Sequence, residues 1–243
     1  MGLQNKLDIV IIDECEPCPY LEGEVARMPL RMPLQPLTPE SMDHLLETGN
    51  RRTGEFVYRT QCPDCRECVP VRIDCNCFPF NSNWRRVLNR GNRLFRQEIG
   101  PMHCTKDRVD LFNKHRSMRR LAKHDAAIDA DEYQWGFIKS CFQSFEIAYY
   151  DESNQLSCLA VCDQGKSSLS AVYTFYDPEL KSASLGTYSI LKQIEFCRTH
   201  NLRYLYLGFL VSGSVHMRYK KRFLPQQVLR GGEWIQVNDE TDF

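Results

Sequence analysis

Between residues 144 and 177 three apolar runs, "SFEIAYY", "LSCLAVC" and "LSAVYTFYD", follow one another with turn residues such as Asn154 and Gly165 between them. Their β-branched and aromatic content reads as three successive strands. "GTYSILKQIEFCRTHN" then places Ile190, Ile194 and Cys197 on the apolar side of a helix. "LRYLYLGF" follows as a further buried strand. This order leaves few architectures open. Antiparallel strands, then a helix, then another strand make a mixed α/β sheet with helices packed on it.

The same order resembles the acyltransferase fold of the Gcn5-related N-acetyltransferases. At 243 residues the chain can hold one large or two small domains. A boundary is expected near residue 100, at "EIGPMH". It would divide an N-terminal cysteine-rich α+β domain, residues 1–100, from an acyltransferase-like catalytic domain, residues 101–243. In the first part "TPESMDHLLETG" reads as a short helix, with Thr38 as N-cap and Pro39 in the first turn. "EFVYRT" and "VPVRID" read as strands on either side of a cysteine-rich loop. Ser82 and Thr105 are expected to cap two basic helices, "NWRRVLNRGNRLFRQ" and "KDRVDLFNKHRSMRRLAK".

Charge is segregated although its total is zero. Residues 1–49 hold three Lys/Arg against nine Asp/Glu, and residues 82–125 hold twelve against four. Residues 216–230 add five basic residues and no acid. Such blocks mark either a docking surface for an anion or solvated helix faces. No apolar run approaches the ~20 residues of a membrane span. "LDIVIID" is too short for a secretion signal. The chain is therefore expected in the cytoplasm, where thiols stay reduced.

Twelve cysteines in that compartment read as a metal site plus buried thiols, not as disulfides. Cys15 and Cys18 form one pair, and Cys62, Cys65 and Cys68 are spaced three apart twice over. Two such thiolate pairs can close a tetrahedral site. Cys15, Cys18, Cys62 and Cys65 are the first choice, with Cys68 as substitute. Zinc and an iron–sulfur cluster both suit the ligands. The alternative is that these are small buried apolar groups.

Five segments occur in a characteristic order: "CPYLEGEVAR", "GNRRTGEFVYRTQCPDCRECVPVRI", "FNSNWRRVLNR", "YDPELKSASLGTYSILKQIEFCRTHNLRYLYLGF" and "HMRYKKRFLPQQVLRGGEW". Together they resemble the bacterial branch of the aminoacyl-tRNA–protein transferases. These are the aspartate/glutamate leucyltransferases, relatives of the eukaryotic arginyltransferases. The resemblance spans Cys15 to Trp234. It implies a tRNA-dependent enzyme that attaches an amino acid, leucine before arginine, to the N-terminal amine of proteins beginning with Asp or Glu, marking them for degradation. Charged tRNA and such proteins would be its partners. No cofactor would be needed for catalysis, because the aminoacyl ester is already activated. Two other readings are a CoA-dependent N-acetyltransferase and a non-catalytic zinc-stabilised RNA-binding module. "SASLGTYS" has a single glycine, fewer than a pyrophosphate loop needs.

Under this resemblance Asp177 is a candidate for orienting or deprotonating the amine; an Asp-Pro turn is the other reading. Ser184, Gly186, Thr187 and Tyr188 open a helix and are candidates for binding phosphate or ribose. Tyr219 and Lys220 are candidates for the acceptor carboxylate or the terminal adenosine. Arg51 and Arg52 are rivals for that carboxylate, since arginine binds it through two N–H groups. Arg85, Arg86, Arg90, Arg93 and Arg96 are candidate phosphate contacts for tRNA, with Trp84 packing or stacking beside them.

Overall fold

The computed structural model describes residues 8–121 and 126–243. The chain begins with β1 (Asp8–Ile12), the short β2 (Cys15–Pro17) and β3 (Val25–Arg27), and β4 (Leu30–Pro33). Helix α1 (Pro39–Glu47) precedes β5 (Arg51–Thr53), β6 (Phe56–Tyr58) and β7 (Val69–Asp74). Then come α2 (Ser82–Leu94), β8 (Arg96–Gly100), α3 (Lys106–Met118) and the short α4 (Ala130–Tyr133). Strands β9 (Ser144–Tyr150), β10 (Leu156–Gln164) and β11 (Ser168–Tyr176) lead to α5 (Leu185–Thr199). Strand β12 (Tyr204–Leu210) and a hairpin of β13 (Gln226–Arg230) and β14 (Glu233–Val237) follow. None of the described helices is long and apolar enough to cross a membrane.

The expected mixed sheet forms, with strand order β14-β13-β7-β12-β11-β10-β9-β8. Strands β9, β10 and β11 pair antiparallel, and α5 carries the chain over to β12, which lies parallel to β11. Along β10 the side chains alternate between two cores. Cys158, Ala160 and Cys162 face a core built with α2 and α5, while Leu159 and Val161 face one built with α3. A strand covered on both faces loses its apolar–polar alternation. That is why "LSCLAVC" is continuous and why its two thiols are inert packing.

A four-stranded sheet, β1-β4-β6-β5, and the β2-β3 pair stand apart from the large sheet. The expected boundary near residue 100 does not separate the sheets. Both β7 and β8 belong to the eight-stranded sheet, and β7 lies between β12 and β13. The reason is burial: Val71 and Ile73 are fully enclosed, and only strands from the C-terminal half flank them.

Local signals hold at α1, where Thr38 Oγ1 accepts the Ser41 N–H at 3.2 Å. At α2 the cap is Asn81, not Ser82; its Oδ1 accepts the Trp84 N–H at 3.0 Å. Thr105 stands at the N-cap of α3 without a side-chain bond, and that helix stops at Met118. The last two residues of the expected run to Lys123 lie outside the described residues. Helix α2 also ends sooner than its pattern suggests. Phe95 turns extended and is buried, so Arg96 and Gln97 leave as an edge strand beside β9. Sheet pairing overrides helix propensity there.

Candidate active site

Strands β11 and β12 are paired only over Ser168–Ser170 and Tyr204–Tyr206. Beyond that they part. Strand β11 stays with β10 as far as Tyr176, while β12 shifts register at a bulge and follows β7, Gly208 opposite Val71. Parallel strands that separate leave a crevice at their C-terminal ends, the usual seat of ligands in such sheets. The start of α5, the turn Arg218–Arg222 and the small strand β5 bring further residues of interest to this region of the fold.

Gly208 sits on the β12 wall with φ of +83°. A glycine in a strand is a bulge signal, and here it also leaves room. A methyl group placed on it would lie 3.6 Å from Lys220 Nζ and 3.8 Å from Arg51 Nε, with no other non-neighbouring described atom within 4 Å. Both cations are buried, each 7% exposed. Lys220 Nζ donates to the Phe209 carbonyl. Arg51 Nη1 donates to the Asn50 carbonyl at 2.8 Å, while its Nε and Nη2 have no partner. The guanidinium carbon lies 5.3 Å from the Phe209 ring centre and 5.9 Å from that of Tyr206. Burial pushes the Lys220 ammonium down to about 7, and the Arg51 charge acts in the same direction. Burial also lowers Arg51, to about 10. The Tyr58 and Tyr20 phenols, held high chiefly by burial, lie close to each other, and Tyr58 faces Arg51.

Arg52, the expected rival for a carboxylate, is occupied. Its Nε and Nη2 donate to Asp163 at 2.6 and 2.9 Å inside the protein. No local motif announces Asp163, which arrives from β10. Tyr188 is likewise corrected from a binding residue to a core residue. It is 1% exposed, its ring lies against Gly91 of α2, and its hydroxyl donates to Asn92 Oδ1 at 2.9 Å. The helix phase that buries Leu191 and Ile194 buries it too.

Asp177 accepts from Lys114 Nζ at 2.8 Å and from the Glu179 N–H at 3.0 Å. The carboxylate is thus bound into an Asp-Pro turn and an ion pair. Ser184 is exposed and left-handed, with φ of +54°. It leaves the first turn of α5 without a side-chain cap. Gly186 and Thr187 follow, half-buried, with Gly186 against the Tyr176 ring. Tyr219 is 44% exposed and packs edge-on to Phe223. Arg119 and Tyr176 are near enough for their charges to act on it. Arg119 itself donates to the Tyr176 hydroxyl.

Helix α2 buries Trp84, Leu88 and Gly91 and turns its arginines outward. Arg85, Arg86 and Arg93, with Asn89 and Asn92, line an open concavity of about 960 Å³. Arg90 is exposed on the same helix. Arg96 is not on that face: it lies in β8, pairs with Glu98 and stacks on Tyr150. Trp84 is a packing residue, stacked on Phe223 with ring centres 5.1 Å apart.

The thiols do not group as the spacing predicts. Cys15 is exposed on β2, opposite Arg27. Cys18, Cys62, Cys65 and Cys68 are neighbours. Burial raises the Cys68 thiol to about 12, and the charges of Cys62, Cys18 and Cys65 add to the rise. The donors are soft enough for zinc or iron. Among the described residues, however, no three Cys, His, Asp or Glu side chains converge as a ligand set.

Three residues that no motif singled out matter most: Gly208, His115 and Asp163. Only the glycine carried a signal, a lone Gly in a strand pattern. His115 sits in α3 with Nδ1 3.0 Å from the Tyr176 carbonyl oxygen and 3.2 Å from the Tyr176 nitrogen, and nothing in its spacing announces that contact.

The family described as "Arginine-tRNA-protein transferase, N terminus" matches residues 16–86, and "Arginine-tRNA-protein transferase, C terminus" matches residues 107–230. The aspartate/glutamate leucyltransferase of Acinetobacter baylyi is 34% identical over 222 residues, 91% of this chain and 81% of that protein. Its namesake from a Ruegeria species is 35% identical over 230 residues, 94% and 83% of the two chains. The crystal structure of FemX covers 92% of this chain and 88% of its own, with a TM-score of 0.51 at 8% identity. At that identity the likeness concerns the fold alone.

Proposed function

The chain belongs to the aminoacyl-tRNA–protein transferase family, and we propose that it transfers leucine from leucyl-tRNA to the N-terminal amine of proteins that begin with Asp or Glu. The observation that carries this reading is identity along nine-tenths of the chain to relatives named for that reaction. The aminoacylated acceptor would be marked for degradation, and the reaction belongs in the cytoplasm, where charged tRNA resides.

The free amine attacks the carbonyl carbon of the aminoacyl ester. A C–N bond forms, the ester C–O bond breaks, and the 3′ oxygen of the tRNA leaves with a proton. An N-terminal amine has a pKa near 8, so a useful fraction is unprotonated at neutral pH. Positioning and oxyanion stabilisation then matter more than a strong base. In this reading Arg85, Arg86, Arg90 and Arg93 contact the phosphates of the tRNA acceptor arm. The uncapped first turn of α5, Leu185 to Thr187, would present its N–H groups to the tRNA terminus, with Ser184 leading into it. In the same reading Tyr219, exposed and near Tyr176 at the end of β11, stacks on the terminal adenosine. Asp177 orients the region through Lys114.

The test is a transfer assay with leucyl- and arginyl-tRNA offered in parallel to peptides beginning with Asp, Glu and Ala. Leucine on the Asp and Glu peptides alone is the expected result. Equal transfer to the Ala peptide, or none to any, removes the reading.

The cysteine-rich part is proposed as a separate, structural site for a thiophilic metal. Cys18, Cys62, Cys65 and Cys68 are its ligands in this reading, once drawn together, and Cys15 is not one. Zinc or iron in stoichiometric amount after anaerobic purification is the expected outcome. A Cys15→Ser variant should keep it, and its absence from wild-type protein rules the site out.

A further inference from the structure

Attack of an amine on an ester puts negative charge on the carbonyl oxygen, and a hydrogen-bond donor must meet that charge. Asp177 cannot be the donor, because an ionised carboxylate only accepts. The residue before it can. Tyr176 ends β11, beyond the point where β11 and β12 part. Three elements bring their ends to its phenol. From the C-cap of α3, Arg119 Nη1 donates to the hydroxyl oxygen. From the first turn of α5, Gly186 lies against the ring, and a methyl group there would come within 3.1 Å of a ring carbon. From the turn Arg218–Arg222, Tyr219 is close enough to feel charge on Tyr176 and Arg119.

The ring is held at both ends. His115 Nδ1 lies 3.0 Å from the Tyr176 carbonyl oxygen and 3.2 Å from its nitrogen, and the two rings meet edge to face with centres 4.5 Å apart. At the far end the phenol oxygen is engaged as an acceptor, so its single proton points elsewhere. No described residue accepts that proton. Burial raises the phenol above its ordinary pKa, with Arg119 opposing the rise, so the proton stays on at neutral pH. The side chain is only half-buried, and part of it faces out of the core. A donor that is fixed, polarised by a guanidinium and not used up inside the protein has the properties that oxyanion stabilisation requires.

We infer that the Tyr176 hydroxyl is the catalytic donor to the oxyanion of the transfer reaction, and that Arg119 is a positioning residue that aims and polarises it. This rests on the reading above for the identity of the reaction. As the amine nitrogen bonds to the ester carbon, the carbonyl π pair moves onto the oxygen. The Tyr176 O–H donates to that oxygen and keeps its proton. When the C=O bond re-forms, the ester C–O bond breaks, and the 3′ oxygen leaves with the proton that the amine nitrogen sheds. An adenosine stacked on Tyr219 brings its esterified ribose beside this phenol.

The experiment measures leucine transfer by the full chain to an Asp-initiated peptide, at saturating leucyl-tRNA and varied peptide. Tyr176→Phe keeps the ring and removes only the hydroxyl. Its kcat should fall on the order of 100-fold. Its kcat/KM should fall equally, as it does when an interaction made only in the transition state is lost. Its affinity for leucyl-tRNA, read by filter binding, should match the wild type. Arg119→Lys should keep more of the rate than Arg119→Ala. In the Tyr176→Phe background Arg119→Ala should cost little more, because the guanidinium acts through the phenol. A wild-type kcat in Tyr176→Phe, or a loss confined to KM, overturns the oxyanion role. Equal losses from Arg119→Ala in both backgrounds overturn the positioning role. If Tyr176→Phe does not fold, the Arg119 variants carry the test, and an unchanged kcat in Arg119→Ala overturns the pair. A wild-type protein that transfers nothing removes the proposed function, whereas normal transfer that Tyr176→Phe leaves intact removes only the role of the phenol.

Discussion

Arg52 and Asp163, 111 residues apart in sequence, meet in the interior as a two-bond fork, with Ser144 Oγ donating to the same carboxylate at 2.5 Å. The pair joins β5 of the small sheet to β10 of the large one. Removing one partner leaves the other charge buried and alone. Asp163→Asn should therefore cost about 3–5 kcal/mol. The Arg52→Met, Asp163→Leu double variant should recover much of that loss. Urea unfolding of the two variants measures both; an Asp163→Asn variant within experimental error of wild type would show that the fork does not hold the sheets together.

Gly91 is the contact point between α2 and α5. A methyl group there would come within 2.3 Å of the Tyr188 ring, closer than any tolerated packing. Alanine gains up to ~1 kcal/mol of helix propensity over glycine. The overlap costs about 1–3 kcal/mol, and the sterics should win. Gly91→Ala should lower the melting temperature by several degrees. A rise would mean that the helices slide apart freely.

His115 predicts an acid-sensitive step. Burial lowers its pKa to about 4, and the nearby Arg119 charge adds to this. An unfolded chain holds it near 6.5. Between these values the unfolded state binds a proton that the folded state refuses, so stability is present above pH 6.5 and is lost as pH falls toward 4. The loss amounts to a few kcal/mol at most, since each tenfold change in proton affinity is worth about 1.4 kcal/mol. Lys114 and Arg116 on the same helix, Arg119 at its C-cap and Asp177 on the facing turn do not remove it, because the ring is enclosed. Urea midpoints at pH 7, 6 and 5 should fall less steeply for His115→Gln than for the wild type. Parallel falls would assign the acid loss to carboxylates alone.

Replacing Arg86, Arg90 and Arg93 with alanine should weaken tRNA binding and reduce the slope of log affinity against log salt by up to about 2–3, roughly 0.9 or less per phosphate contact. The rate at saturating tRNA should change little. Arg96→Ala should leave the slope as it is, since that residue faces Glu98 on β8. Filter binding across a salt series reads all of this. An unaltered slope in the triple variant would move the tRNA contact to residues 216–230.

The sequence by itself determined the order of strands and helices in the second half, the outward arginines of α2 and the family. These are written in local periodicity and in ordered motifs, which a chain carries before it folds. Tertiary structure alone decided which of two adjacent arginines is free. Arg51 and Arg52 are chemically identical and consecutive, but strand alternation sends their side chains in different directions. One meets Asp163 from β10, and the other meets Lys220 and the missing side chain of Gly208. The same holds for Tyr188, which helix phase turns into the core, and for Cys15, which the β2–β3 hairpin holds opposite Arg27. Partners from distant segments set charge balance and burial, and their distances cannot be read from spacing along the chain.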